Sequence, residues 1–156
     1  MMNVRSISIS EWISLAEEGA APPVTIPLEG SSMQPFIRRH VDPVTIVPLQ
    51  RPLKKGDVVL FTTGPDRFVV HRVWKLEKDR VQTLGDHCMN TAPWLPYACI
   101  LGHVVAFRRN GRRYRLDTAA ARTLGRIWMI LYPIRKRYLR LRSFAGRCYR
   151  KFLKNE

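Results

Sequence analysis

Cysteine is scarce in this sequence, and its spacing is not typical of a metal site. The chain has 156 residues and three cysteines, Cys88, Cys99 and Cys148, which cannot all pair with one another in disulfides. No CxxC pair and no cysteine–histidine spacing typical of zinc occurs. We therefore expect reduced thiols, with no disulfide framework, no bound metal and no cofactor.

Long apolar runs are also missing. The longest run, IWMILYPI at 127–134, has about half of the ~20 residues that span a bilayer, and it contains a proline. The first twenty residues lack the apolar core of a signal peptide. The sequence therefore predicts a cytoplasmic protein and leaves open a peripheral position on the inner face of the membrane.

Acidic residues are nearly absent from the last third of the chain. Residues 1–106 hold 11 Lys and Arg against 10 Asp and Glu, whereas residues 107–156 hold 16 against 2. From Thr118 onward the apolar pattern is helical. We therefore predict two parts, a nearly neutral domain at 1–117 and a basic, amphipathic helical tail at 118–156.

Apolar residues recur at helical spacing between the basic residues of this tail. The stripe contains Leu131, Ile134, Tyr138 and Leu141, and Phe144, Cys148 and Phe152 extend it. Such helices suit an anionic membrane surface, so we predict membrane attachment through residues 122–154. Nucleic acid is a weaker alternative because no helix-turn-helix or RNA-binding motif is visible. A solvated charged helix is a third alternative.

Short β-branched segments separated by turn residues fill the middle of the chain. They are VTIVPL, GDVVLFTT, RFVVHRVWKLE, DRVQTLGD and ILGHVVAFRR, and YRLD follows the Asn110-Gly111 turn as the arm of a hairpin. This spacing predicts a mainly β fold, a small antiparallel domain with a barrel-like core. Before it, Trp12, Leu15 and Ala16 share one face of a short predicted helix.

A serine in the stretch EGSSMQPFI is a candidate nucleophile. Ser32 follows Gly30 and Ser31 and precedes Pro35 by three residues, which favours a tight, stiffened loop whose main chain can approach a substrate closely. A serine hydroxyl attacks a carbonyl only with a base within reach. Taken alone, the stretch is more typical of an ordinary turn.

A histidine in VVHRV is the candidate base. In an alternating strand Val69, His71 and Val73 share one face, and Val70 and Arg72 share the other, so His71 is expected to face a core or a cleft. Imidazole accepts protons near neutral pH. A satisfied core histidine is the other interpretation of the same pattern.

Four ordered segments together resemble the type I signal peptidases and the related serine peptidases. GSSMQP is similar to the family's S-M-x-P box, LKKGDVVLF to its second box, VVHRV to its base-carrying strand, and TLGD with ILGHVV to its last two segments. The resemblance covers residues 28–107. It implies a mainly β peptidase fold and the hydrolysis of peptide bonds.

The first box implies roles for four residues. Ser32 aligns with the family's nucleophile, and its own N–H is the implied oxyanion donor. Met33 and Pro35 complete the box, and with Ser31 they are the residues expected to contact the substrate or the oxyanion. Some members carry an oxyanion serine two residues before the nucleophile, but here Gly30 holds that position and Ser31 is one residue away from it.

The later boxes imply a base and an orienting carboxylate. His71 with Arg72 and Val73 resembles the histidine type of the family, found in the endoplasmic reticulum and in archaea, rather than the lysine type. Asp86 matches the aspartate of the G-D box and is the expected orienter of His71. The second aspartate usual in this type is missing, since Ala92 stands in that region. The family's membrane-spanning anchor is not visible either.

Other basic and nucleophilic side chains fit the site less well. Lys75 and Lys78 are near His71 in sequence, but they alternate with acidic residues as in a solvated hairpin. Cys88 and Cys99 have no evident activating base and are expected to be small buried residues.

The resemblance predicts a serine endopeptidase that cleaves a precursor or leader peptide, with a membrane surface as a candidate location. One alternative is a catalytically degenerate module that keeps the fold and binds peptide, anionic membrane or nucleic acid through its basic end. Another is a self-cleaving repressor-type protein, which is disfavoured because no DNA-binding segment precedes the peptidase-like boxes in this sequence.

Overall fold

The computed structural model describes residues 9–18, 20–49, 51–64, 67–138 and 140–141. Its elements are α1 (Ile9–Glu17), β1 (Val24–Ile26), β2 (Val44–Pro48), β3 (Val58–Thr62), β4 (Phe68–Leu76), β5 (Arg80–Leu84), β6 (Trp94–Pro96), a 3₁₀ turn (Tyr97–Cys99), β7 (Ile100–Arg109), β8 (Arg112–Arg115) and α2 (Ala119–Ile130). Helical residues 132–138 and 140–141 follow α2.

The eight strands form one antiparallel sheet in the order β1-β2-β7-β3-β4-β5-β6, and β8 pairs with β7. The predicted mainly β class is confirmed, with a short helix before the sheet and a helical end after it. The predicted barrel-like closure needs correction, because the sheet is open and the three-residue strands β1 and β6 lie at its edges. Alternation identifies strands but does not show whether the first and last of them meet.

Apolar side chains pack in two clusters. One contains Trp12, Val44, Ile46, Leu60, Val70 and Val104, and the other contains Val59, Phe61, Val73, Val81 and Ile100. Alternate residues of β3 belong to different clusters, as expected for a strand buried on both faces. Neighbouring residues of β4 therefore also face different surroundings.

The N-terminal helix is fixed to the sheet by its tryptophan. Trp12 is fully buried, and its Nε1 donates a hydrogen bond to the Pro22 carbonyl at 2.7 Å. Gly102 of β7 makes room for it, because a Cβ there would lie 2.9 Å from the indole ring. This contact holds Ile9 of α1 beside the groove described below.

The first part of the predicted tail packs against the β domain. The Thr118 hydroxyl accepts a hydrogen bond from the Ala121 N–H and caps α2, as expected for threonine at this position. Trp128 Nε1 donates to the Asp86 carbonyl at 3.1 Å, and the Tyr132 hydroxyl donates to the Met89 carbonyl at 2.6 Å. Phe144, Cys148 and Phe152, which extended the predicted stripe, lie outside the described residues.

Within the described ranges, no helix combines the length and the apolar character needed to cross a bilayer.

Candidate active site

The loop that carries Ser32 is a turn held by buried side chains. The Ser31 carbonyl accepts a hydrogen bond from the Gln34 N–H at 3.2 Å, and the Met33 carbonyl accepts one from the Ile37 N–H at 3.0 Å. Met33 and Ile37 are both buried in the larger apolar cluster. Since the residue after Ser32 is fixed in the core, the serine is held at the surface of the sheet rather than on a free loop.

The side chains of the other residues of the first box do not line the groove that Ser32 lines, which is described below. The Met33 side chain is buried, so its expected contact with a substrate needs correction: in this turn the thioether fills the core. Pro35 is exposed and lines a second pocket beside α2. Ser31 is exposed as well. Their predicted substrate contacts therefore do not follow from the side-chain positions.

His71 lies on β4, as the alternation predicts, and faces the smaller apolar cluster. It is paired with Val59 of β3, and its ring meets the Phe61 ring edge-on, with centroids 5.5 Å apart. The Thr83 hydroxyl oxygen of β5 lies 3.5 Å from its Nδ1. The other ring nitrogen, Nε2, lies close to Gly85, and His71 is one of the residues that line the groove described below.

Burial controls the protonation of His71. Desolvation lowers the pKa of this imidazole from 6.5 to about 4, because an apolar environment disfavours the charged form. The ring is therefore neutral at neutral pH and has a free lone pair. A neutral imidazole is the form that can accept a proton from a hydroxyl.

Gly85 is the point at which the serine loop and the histidine meet. A Cβ at this position would lie 2.8 Å from the Ser32 carbonyl oxygen and 3.0 Å from His71 Nε2. It would also lie 2.5 Å from the Cys88 sulphur. Only glycine fits there, and its missing side chain leaves room for both the Ser32 carbonyl and the His71 ring.

A short hydrogen bond fixes the serine loop to this turn. The His87 N–H donates to the Ser32 carbonyl at 2.7 Å, and the Cys88 N–H closes the turn on the Gly85 carbonyl at 3.0 Å. The turn after β5 therefore positions Ser32 relative to β4.

Ser32 and His71 line the same groove. Its volume is about 590 Å³, in the range of small-ligand sites. Apolar side chains form most of its wall: Ile9, Ile26, Leu28, Leu60, Phe68 and Val70. Glu29 and Gly30 lie along its rim, next to the serine loop. The two predicted catalytic residues thus face a common apolar cleft.

Asp86 does not orient His71. Its two carboxylate oxygens accept hydrogen bonds from Arg72 Nε at 3.0 Å and Nη2 at 2.8 Å, and both side chains are buried. Arg72 Nη1 also donates to the Gly56 carbonyl at 3.0 Å. The predicted orienting role of Asp86 therefore needs correction, because a buried guanidinium binds both of its oxygens. Thr83 takes the position beside His71.

The serine and the histidine are not hydrogen-bonded to each other in the structure. Among the described residues, the Ser32 hydroxyl has no hydrogen-bond partner within 3.5 Å, and neither does its N–H. In the absence of a substrate, catalytic hydrogen bonds are often longer than in the complex. The N–H is therefore free to bind a developing oxyanion.

The other basic and nucleophilic side chains considered for the site are either exposed or half-buried. Lys75 and Lys78 are exposed. Burial raises the pKa of the half-buried Cys88 thiol, so this sulphur carries less thiolate than an ordinary cysteine. Cys99 is also half-buried. In the part of the chain that the structure describes, no group of His, Cys, Asp and Glu could hold a metal ion.

Sequence reasoning missed Thr83 and Gly85 as parts of the site. Both belong to TLGD, in which only the aspartate was singled out. Register supplies a signal for them: Arg72 pairs with Leu84 and Val73 with Thr83, so the end of β5 must lie beside His71. A strand pairing predicted between VVHRV and VQTLGD would have placed them there.

A comparison of the chain with models of protein families found no matching family, and a comparison with curated proteins found no match either.

Proposed function

We propose that this chain is a serine endopeptidase of the signal-peptidase-like type, which cleaves a precursor or leader peptide with Ser32 as nucleophile and His71 as general base. The observation that carries the proposal is that Ser32 and His71 line one groove, and that the Ser32 carbonyl and the His71 ring both approach Gly85. The half-buried imidazole is neutral at neutral pH, as a general base must be, and its pKa of about 4 makes it a weaker proton acceptor than an ordinary histidine.

The proposed chemistry uses the two ring nitrogens differently. Nδ1 carries the hydrogen and donates it to the Thr83 hydroxyl oxygen, which leaves Nε2 as the proton acceptor. As the Ser32 oxygen bonds to the scissile carbonyl carbon, its proton passes to Nε2, and the Ser32 N–H stabilises the carbonyl oxyanion. Nε2 then protonates the leaving amine, and water hydrolyses the acyl-enzyme by the reverse proton transfers.

The groove suits an extended peptide with apolar side chains. Strand β1 pairs only with β2 among the described residues, so its second edge is unpaired. Ile26, Pro27 and Leu28 lead from that edge along the groove to the serine loop. A peptide in extended form can add to such an edge through main-chain hydrogen bonds. We propose this segment as the guide for the substrate.

A peptide-binding module without catalysis is the second candidate. It is favoured by one observation: among the described residues no carboxylate is hydrogen-bonded to His71, because both oxygens of Asp86 are bound by Arg72. Loss of the orienting group commonly costs several powers of ten in triad enzymes. In this case the groove would hold a peptide without cleaving it.

Reaction with a fluorophosphonate probe tests the proposal. We expect one phosphonyl group on the folded wild-type protein, located on Ser32 by peptide mass spectrometry. Ser32→Ala and His71→Ala should each abolish the reaction. Ser31→Ala is the matched control, since this exposed neighbour lies outside the groove lining, and it should react as the wild type does.

Two other outcomes would count against catalysis. Equal labelling of His71→Ala and wild type would show that the imidazole is not the base. Absence of labelling in wild-type protein that is folded by circular dichroism would favour the peptide-binding module instead.

A further inference from the structure

An exposed apolar stripe runs along α2 and the helical residues after it. Large hydrophobic side chains are exposed at eleven positions in the described ranges, and seven of them belong to residues 124–141. They are Leu124, Ile127, Ile130, Leu131, Ile134, Tyr138 and Leu141. A concentrated apolar surface of this kind marks an interaction site more often than scattered exposed residues do.

Packing against the β domain does not account for this stripe. The helix uses a different face for that contact, with Gly125 and Met129 buried and Trp128 packed edge-on against Phe36 at 5.1 Å. Residues three or four apart share a helix face, and the exposed set keeps this spacing separately from the docked set. The helix is thus apolar on two faces, and the domain covers only one.

The charge of this region selects the kind of partner. Exposed Arg126 and Arg137 lie in the same helical segment as the stripe, and residues 107–156 contain 16 basic residues against 2 acidic ones. A second copy of the chain would bring like charges together. Aliphatic Ile and Leu side chains form no hydrogen bonds with nucleic-acid bases or phosphates. An anionic surface with an apolar interior matches both features.

A pocket lined by an arginine with two unpaired nitrogens among the described residues lies beside the stripe and shares Tyr138 with it. Its volume is about 480 Å³, and its lining is Gln34, Pro35, Arg38, His87, Trp128, Arg135 and Tyr138, with no acidic residue. The Arg135 guanidinium lies over the Trp128 and Tyr132 rings, and its Nη1 donates to the Trp128 carbonyl at 3.3 Å. Its buried Nε and Nη2 atoms have no hydrogen-bond acceptor among the described residues. A buried donor without an acceptor is unfavourable, and a phosphate would bind both N–H groups.

We propose that the stripe docks on an anionic phospholipid membrane and that the Arg135 pocket takes a lipid phosphate. The apolar side chains enter the boundary between headgroups and acyl chains, and the arginines stay at headgroup level. Trp128 donates to the Asp86 carbonyl, in the turn that holds Ser32, so docking also sets how the groove faces the membrane. The proposal does not depend on catalysis by Ser32.

Co-sedimentation of the full chain with vesicles tests the docking. We expect binding to phosphatidylglycerol–phosphatidylcholine vesicles that weakens as salt is raised, and much weaker binding to phosphatidylcholine alone. Ile130 and Ile134 are 75% and 68% exposed, so the double variant Ile130→Ser, Ile134→Ser should fold normally. It should reduce vesicle binding by about ten-fold or more.

A matched control makes two hydrophobic-to-serine substitutions at exposed positions outside the helix. Val41 and Leu49 are exposed hydrophobic residues outside the helix, and Val41→Ser with Leu49→Ser should leave vesicle binding unchanged. Equal binding by wild type and the helix variant would overturn the proposal. So would binding to duplex DNA or RNA by a protein that does not sediment with anionic vesicles.

The phosphate site is tested by comparing two variants that each lose one positive charge, one inside the pocket and one outside it. Arg135→Gln should weaken binding more than Arg113→Gln, which removes one exposed charge from β8. Arg135→Lys should recover only part of the loss, because an ammonium does not present two fixed donors. Equal loss in Arg135→Gln and Arg113→Gln would overturn the phosphate site and reduce that arginine to a general charge effect.

Discussion

His71 and Arg72 are consecutive residues of β4, but their side chains lie on opposite faces of the sheet and have very different surroundings. His71 meets Phe61 and a single hydroxyl, and desolvation lowers its pKa to about 4. Arg72 is more deeply buried than the half-buried His71, and it donates to both oxygens of Asp86 and to a main-chain carbonyl. Desolvation favours the neutral form of the histidine, whereas the buried charge of the arginine is compensated by a carboxylate.

The comparison shows how a small β domain separates chemistry from support. The side with His71 offers a neutral base to the groove. The side with Arg72 holds Asp86, and Asp86 lies between Gly85 and His87, the two residues that contact Ser32 and His71. The ion pair therefore positions the turn on which the site depends.

The largest predicted effect comes from breaking the ion pair. Asp86→Asn leaves the buried charge of Arg72 without its anionic partner, so we expect the free energy of unfolding to fall by about 3 kcal/mol or more. Asp117→Asn is the control, since Asp117 pairs with the exposed Arg115, and it should cost less than about 1 kcal/mol. Urea denaturation measures both. Equal losses would contradict the difference between the two pairs.

A smaller effect is expected from crowding the same arginine. Gly125 of α2 contacts Arg72, and a Cβ there would overlap Nη1. Helix propensity alone would make Gly125→Ala stabilising by about 1 kcal/mol, whereas we expect a net loss of about 1–2 kcal/mol because the contact is already filled.

The sign of the change decides this prediction. Thr123→Ala is an exposed change in the same helix and should stabilise by about 0.5 kcal/mol. Stabilisation at both positions in thermal unfolding would show that Arg72 has room to move and that α2 is not closely packed on it.

The smallest effect is predicted for a substitution beside His71. Thr83→Val removes the oxygen beside Nδ1 and keeps the shape of the side chain, so the ring loses its orienting partner. We expect the rate of phosphonylation to fall about ten-fold. The free energy of unfolding should fall by about 1 kcal/mol. Thr25→Val, in the exposed edge strand β1, is the control. An unchanged rate in Thr83→Val would remove this threonine from the site.

The sequence predicted the fold class and the facing of β4 because both depend on local alternation. Val69 and Val73 pack with one cluster and Val70 with the other, which places His71 on the side that the pattern indicates. The turn at Gly30 to Pro35 was also recognisable. These features need only the period of the strand and the chemistry of glycine and proline.

The choice of partner for Asp86 could not be predicted in the same way. His71 and Arg72 are adjacent in the sequence. A carboxylate at the end of β5 could therefore contact either of them. The docked helix adds Gly125 on one side of Arg72 and Trp128 on the carbonyl of Asp86, and these contacts join residues far apart in the chain. A buried guanidinium needs an anion more than a neutral imidazole does, so Asp86 pairs with Arg72 once the arginine is known to be buried.

The most direct test of the account is the rate of Ser32 phosphonylation as a function of pH. The base must be unprotonated to react, so the rate should fall as pH decreases through the pKa of His71, with a midpoint near pH 4. A midpoint near 6.5, the ordinary value for histidine, would mean that the reacting imidazole is solvated. A rate that persists in His71→Ala would contradict the central claim that a half-buried, neutral His71 activates Ser32.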